Sequence, residues 1–256
     1  MLLAHELVGD ERAPAVVLVH GITENHETWR PVIEALAADH CVLAVDLRGH
    51  GDSDDEPPYD PQGYASDVAE TIAAVGLQRP LIVGHSLGGV VVTVVPAFCT
   101  DVVGVMNVDQ PLQLAGFQTA LKQIEPLLRG TPEQFREAIG MVFAGLVGPL
   151  AGDELSRVGA LRQPDQDVVL GTWAAVLDST PEELDALAPV MLAASAGVPY
   201  LALHGIDPGP EYEDWLRAHL PQLEYEVWPD HGHYPFLVDL PRFLDRLAAF
   251  EAEVRS

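Results

Sequence analysis

Gly84-His85-Ser86-Leu87-Gly88 sets a serine between two glycines, one two residues before it and one two residues after. At a sharp strand-to-helix turn the serine takes a strained backbone, and the residues flanking it at that spacing pack against each other, so only small side chains fit. The turn lifts the hydroxyl above a sheet. It also sets it at a helix N-terminus, where backbone amides favour developing negative charge. Such a serine suits attack on a carbonyl, whereas the plainer alternative is a Gly-rich turn whose serine caps a helix. A serine hydroxyl is a poor nucleophile near neutral pH and needs a base within hydrogen-bond reach. Ten histidines are available for that role.

The elements that must position Ser86 can be read from hydropathy. Residues 15–20, 41–46, 80–84, 102–108 and 198–203 are short continuous apolar runs, as strands buried on both faces would be. Residues 223–228 alternate instead, which predicts an edge strand, and residues 1–8 supply an antiparallel edge strand. Residues 28–38, 64–75, 86–98, 211–220 and 241–254 carry apolar positions at helical spacing. Alternating strand and helix predict an α/β fold with a mostly parallel sheet flanked by helices. The alternation stops over residues 111–196, where 117–128, 132–147, 165–177 and 181–196 look helical; this predicts a helical lid inserted within one domain spanning 1–256.

Composition narrows the function. The chain has 39 Asp and Glu against 13 Lys and Arg, a formal net charge of −26. Such a surface repels phosphate backbones and anionic headgroups, so neither nucleic acid nor membrane is an expected partner. Cys41 and Cys99 sit in apolar runs and predict no disulfide framework. The N-terminal stretch has no basic region followed by an apolar one, and no apolar run approaches the roughly 18 residues needed to span a bilayer. The expected location is the cytoplasm. No HExxH, Cys/His cluster, Walker loop or G-x-G-x-x-G fingerprint is present, so no metal and no cofactor are expected.

With the serine turn, two further motifs make the chain similar to the α/β-hydrolase superfamily over nearly its whole length. His20-Gly21 after the first central strand resembles that family's oxyanion loop, and Asp46-Leu47-Arg48-Gly49-His50-Gly51-Asp52-Ser53 resembles its D-x-R-G-x-G-x-S segment, a structural loop. The resemblance implies an oxyanion hole from the amides of Ile22 and Leu87. Gly232-His233-Tyr234-Pro235 matches the family's G-H-x-P pattern and implies His233 as base, with His231 as the nearest rival. It implies Asp207, after the strand at 198–203, as the carboxylate partner. Asp109, at the end of the preceding strand, is the rival, and it gains if the stiff Pro208-Gly209-Pro210 loop turns Asp207 away. His85 is expected to shape the pocket wall.

The expected function is a serine hydrolase cleaving a carboxyl ester, thioester or lactone of a small uncharged molecule through an acyl-enzyme on Ser86. Dehalogenases and epoxide hydrolases of this fold carry aspartate at the nucleophile position. The alternatives are a carbon–carbon bond hydrolase, a perhydrolase or cofactor-free oxygenase of the same fold, or a ligand receptor without turnover. Leu112, Leu114, Phe117, Met141, Phe143, Leu146 and Trp173 from the insertion, with Trp29 and Phe236, are the candidate pocket lining.

Overall fold

The computed structural model describes residues 1–256. Seven strands, β1 (His5–Val8), β2 (Ala15–Val19), β3 (Cys41–Val45), β4 (Leu81–His85), β5 (Gly104–Val108), β6 (Tyr200–His204) and β7 (Leu223–Val227), form one sheet. Their order is β1-β3-β2-β4-β5-β6-β7. Every neighbouring pair is parallel except β1 with β3. All residues of β2 to β6 are buried. Their largely apolar character follows from this, because helices cover both faces and neither side of the strand meets water; the buried polar exceptions are His85, Asn107 and His204.

Successive strand residues point to opposite faces and so feed two separate apolar clusters. Val17, Val19, Leu43, Ile82 and Val105 pack under the helices Pro61–Val75 and Leu87–Val94. Val16, Leu18, Val42, Val83 and Met106 pack under Arg30–Leu36 and Leu240–Arg255, together with Trp29, Phe236 and Phe243. Full burial of each such side chain stabilises the fold by about 1.5–3 kcal/mol. The edge strand β7 is only half-buried, and its Glu224 and Glu226 both reach Arg246.

Six helices lie between β5 and β6: Ala115–Leu128, Pro132–Leu146, Gly152–Leu161, Gln166–Thr172, Ala174–Asp178 and Pro181–Ala194. Two of them start at capping boxes, Thr131 with Gln134 and Thr180 with Glu183, each followed by proline at the first helical position. The helix Gly152–Leu161 was not expected. It buries only Val158 and has no side-chain cap, so its apolar stripe is too thin to read. The single helix expected over 165–177 is two, parted at Trp173. The helix after Ser86 tightens to a 3-10 turn at Val95–Ala97, where Pro96 has no N–H to continue the ladder. No helix is long and apolar enough to cross a membrane.

Candidate active site

Ser86 follows β4 with φ 53° and ψ −122°, a left-handed backbone forced on a non-glycine residue. Its amide is held by the Val108 carbonyl at 3.0 Å, which anchors the turn to β5. A Cβ on Gly84 would stand 2.1 Å from the Gly88 carbonyl oxygen, and one on Gly88 would stand 2.2 Å from that of Val19. The two glycines are therefore required by backbone contact. Leu87 opens the following helix, so its N–H has no intrahelical acceptor.

The loop carrying Ile22 lies on the other side of the serine, with Gly21 packed so closely that a Cβ there would be 3.2 Å from the Cβ of Ser86. The Ile22 amide donates to no group of the chain. His20 fixes this loop: its Nδ1–H donates to the Gly21 carbonyl at 2.7 Å, and its Nε2 accepts from the Leu47 amide at 3.0 Å. Burial, with His50 beside it, pushes its pKa down to about 3, so the ring is neutral and its tautomer is set by its two partners. The 46–53 segment is a brace, with Asp46 accepting from the amides of His26 and Asp52 while Arg48 pairs with buried Asp67.

His233 reaches the same region from the loop after β7. Its amide donates to the Leu146 carbonyl at 3.0 Å, and its own carbonyl accepts from His85 Nε2 at 2.7 Å. The preceding Gly232 has φ 62° and lies against Gly148, where a Cβ would stand 2.6 Å from the Gly232 Cα. The His233 loop is thus wedged between the core and the insertion. His233 Nδ1 lies 2.6 Å from Asp109 Oδ2, while its Nε2 is buried without a hydrogen-bond partner.

The preferred carboxylate, Asp207, is not brought to this imidazole. It is exposed, and its Oδ1 accepts from the Gly209 amide at 2.9 Å. The short turn into Pro210 closes on that bond and directs the side chain to solvent. Asp109 holds the position instead, buried at the end of β5 with φ 53°. Its Oδ1 accepts from the amides of Gly205 and Ile206 at 2.8 and 3.0 Å, leaving Oδ2 for His233. Three donors converge on one carboxylate, which compensates its burial.

Ser86, Leu87, Ile22, Asp109 and His233 line one cavity of about 710 Å³. Leu114, Phe117, Phe143, Leu146 and Trp173 line it too, as expected, and Tyr64, Val90 and Met191 complete much of its wall. No lysine or arginine lines it. Four expected lining residues do not. Leu112 is fully buried elsewhere, Met141 is exposed, and Trp29 and Phe236 stack on each other 4.2 Å apart beneath the site. His85 likewise forms no part of the wall; it lies behind His233, ring centroids 4.5 Å apart.

Sequence reasoning missed one buried group altogether. Glu24 is 2% exposed, and its Oε1 accepts from the Tyr234 hydroxyl, which in turn accepts from Arg162 at 2.7 Å. Arg162 comes from the insertion and stacks 3.8 Å over the Phe143 ring. Burial raises the Glu24 carboxyl above its ordinary value and holds the His85 ring well below its own. In sequence Glu24 is one of several polar residues in a loop, and nothing local marks it as buried.

The sequence model of the alpha/beta hydrolase family matches residues 16–246. The chain belongs to that family. It is 28% identical to pimeloyl-[acyl-carrier protein] methyl ester esterase of Vibrio atlanticus over 93% of this chain and 95% of that protein. A shorter match, 32% identical over 87 residues, covers 34% of this chain and 33% of 3-oxoadipate enol-lactonase 1 of Acinetobacter baylyi. The fold is similar to that of the esterase RhEst1 from Rhodococcus sp., with TM-score 0.73 and 24% identity over 99% of this chain and 98% of the other. This member of the family therefore has relatives named for ester and lactone hydrolysis.

Proposed function

We propose that the protein is a serine hydrolase cleaving a carboxyl ester, thioester or lactone of a small uncharged molecule through an acyl-enzyme on Ser86. The observation that carries this reading is the Asp109–His233 bond at 2.6 Å, which delivers an imidazole to the cavity that Ser86 lines. With Nδ1–H donated to the carboxylate, Nε2 keeps the lone pair that takes the serine proton. Ser86 Oγ then bonds to the carbonyl carbon, and the amides of Ile22 and Leu87 stabilise the oxyanion by several kcal/mol. The imidazolium returns the proton to the departing alcohol, thiol or ring oxygen. Water, deprotonated by the same base, releases the acid.

The lining supports an uncharged substrate, since no cation is available there to pair with a carboxylate or phosphate. The insertion acts as a lid, because its residues close the wall over the serine. A fluorophosphonate is expected to label Ser86 stoichiometrically. Ser86→Ala is expected to abolish turnover over a panel of esters, thioesters and lactones of graded size, with thermal unfolding unchanged. Cleavage of β-diketones with no ester or lactone turnover by the wild type would reverse the assignment.

A further inference from the structure

We infer that Glu24 is a positioning residue held as a neutral acid, sharing its proton with His85 and thereby fixing the backbone of the base, His233. The inference rests on the role proposed for His233 and extends it one layer inward. His85 Nε2 lies 2.7 Å from the His233 carbonyl, which can only accept, so Nε2 carries the proton and Nδ1 is left with a lone pair. That Nδ1 is buried and has no hydrogen-bond partner. Facing it at 3.9 Å is Glu24 Oε2, which is also buried and unpartnered.

Two orphaned acceptors turned toward each other in a dry interior are a costly arrangement, and one proton between them resolves both. The groups around the pair decide which side holds it. Burial outweighs the Tyr234, Arg162, His233 and Thr28 groups that draw the Glu24 carboxyl toward its ionised form, whereas burial and the charges of His233 and Arg162 all keep the His85 ring neutral. A proton on His85 Nδ1 would create a buried cation beside His233, which becomes cationic during turnover, and near Arg162. A proton on Glu24 creates no charge and meets the lone pair on Nδ1 after about an ångström of approach. Burial favours the same form of both groups. The chain of contacts then runs from Glu24 through His85 to the His233 carbonyl, while the insertion holds the His233 amide through Leu146. The peptide carrying the base is pinned from both sides.

Glu24→Gln supplies an amide N–H to His85 and a carbonyl to Tyr234, so it reproduces the neutral acid. It is expected to keep kcat within about twofold of wild type on whichever ester the wild type turns over. Glu24→Ala is expected to lower kcat by about 10- to 100-fold with KM within twofold, because the base loosens while the cavity wall is untouched. An infrared difference spectrum at neutral pH, wild type minus Glu24→Gln, is expected to contain a protonated carboxyl C=O stretch. That readout needs no turnover, so it stands even if the proposed reaction is wrong or Glu24→Ala does not fold. A Glu24→Gln variant impaired more than tenfold, a carboxylate band in place of the acid band, or a folded Glu24→Ala variant with wild-type kcat would each overturn the inference.

Discussion

Asp109 reaches His233 from the end of β5, and its two oxygens are divided between tasks. Oδ1 takes the amides of Gly205 and Ile206, and Oδ2 takes the imidazole at 2.6 Å. The carboxylate is thereby oriented by the backbone that follows β6, whereas the side chain of Asp207, two residues beyond Gly205, is directed away.

Exchanging the two candidates separates them. Asp109→Asn would present the wrong tautomer to His233 and is expected to lower kcat by about three to four orders of magnitude. Asp207→Asn, altering an exposed turn, is expected to stay within twofold. Steady-state kinetics of both variants on one ester decide the matter; equal loss in the two would contradict the assignment of Asp109.

Crowding at the serine turn gives a stability prediction. In Gly84→Ala the new methyl would enter the Gly88 carbonyl, a contact that no side-chain rotation relieves. The expected cost is about 3 kcal/mol or more, read as a lower midpoint in urea unfolding. Gly116→Ala, in the helix Ala115–Leu128, where an added Cβ meets nothing within 4 Å, is the control and should be neutral or slightly stabilising.

His40 and Glu251 tie the turn before β3 to the last helix at 2.7 Å. The bond to Glu251 raises the His40 pKa above 6.5, and although burial opposes it, the bond to His40 helps hold the Glu251 carboxyl below 4.5. The histidine's contribution is complete below pH 6.5 and is lost as pH rises through its elevated folded value. The glutamate's contribution is present above pH 4.5 and is lost as pH falls through its depressed one. His40→Gln is therefore expected to destabilise by about 1 kcal/mol between these limits and by less at pH 9, as measured by denaturant unfolding across pH.

Trp173 lines the cavity and packs edge-on to Phe117 at 5.5 Å. Trp173→Ala is expected to move the preferred acyl or ring size upward, raising kcat/KM for the larger esters relative to acetate. Because the indole is 6% exposed, the same change should cost about 3 kcal/mol or more in stability. An unchanged size preference in the folded variant would place the substrate elsewhere in the cavity.

Residues whose roles come from their immediate neighbours in the chain were legible beforehand. The buried strands announce themselves as apolar runs, because a strand covered on both faces leaves few positions for polar side chains. Ser86 announces itself because its turn permits only small residues at 84 and 88. The choice between Asp109 and Asp207 lay beyond the sequence. Both follow strands, and the decision turns on which carboxylate the amides of residues 205 and 206 meet in space. Glu24 was invisible for the same reason, since Tyr234 and Arg162, remote in sequence, make its burial. Local sterics are written in adjacent residues, while the partners of a buried charge are chosen only when distant segments pack.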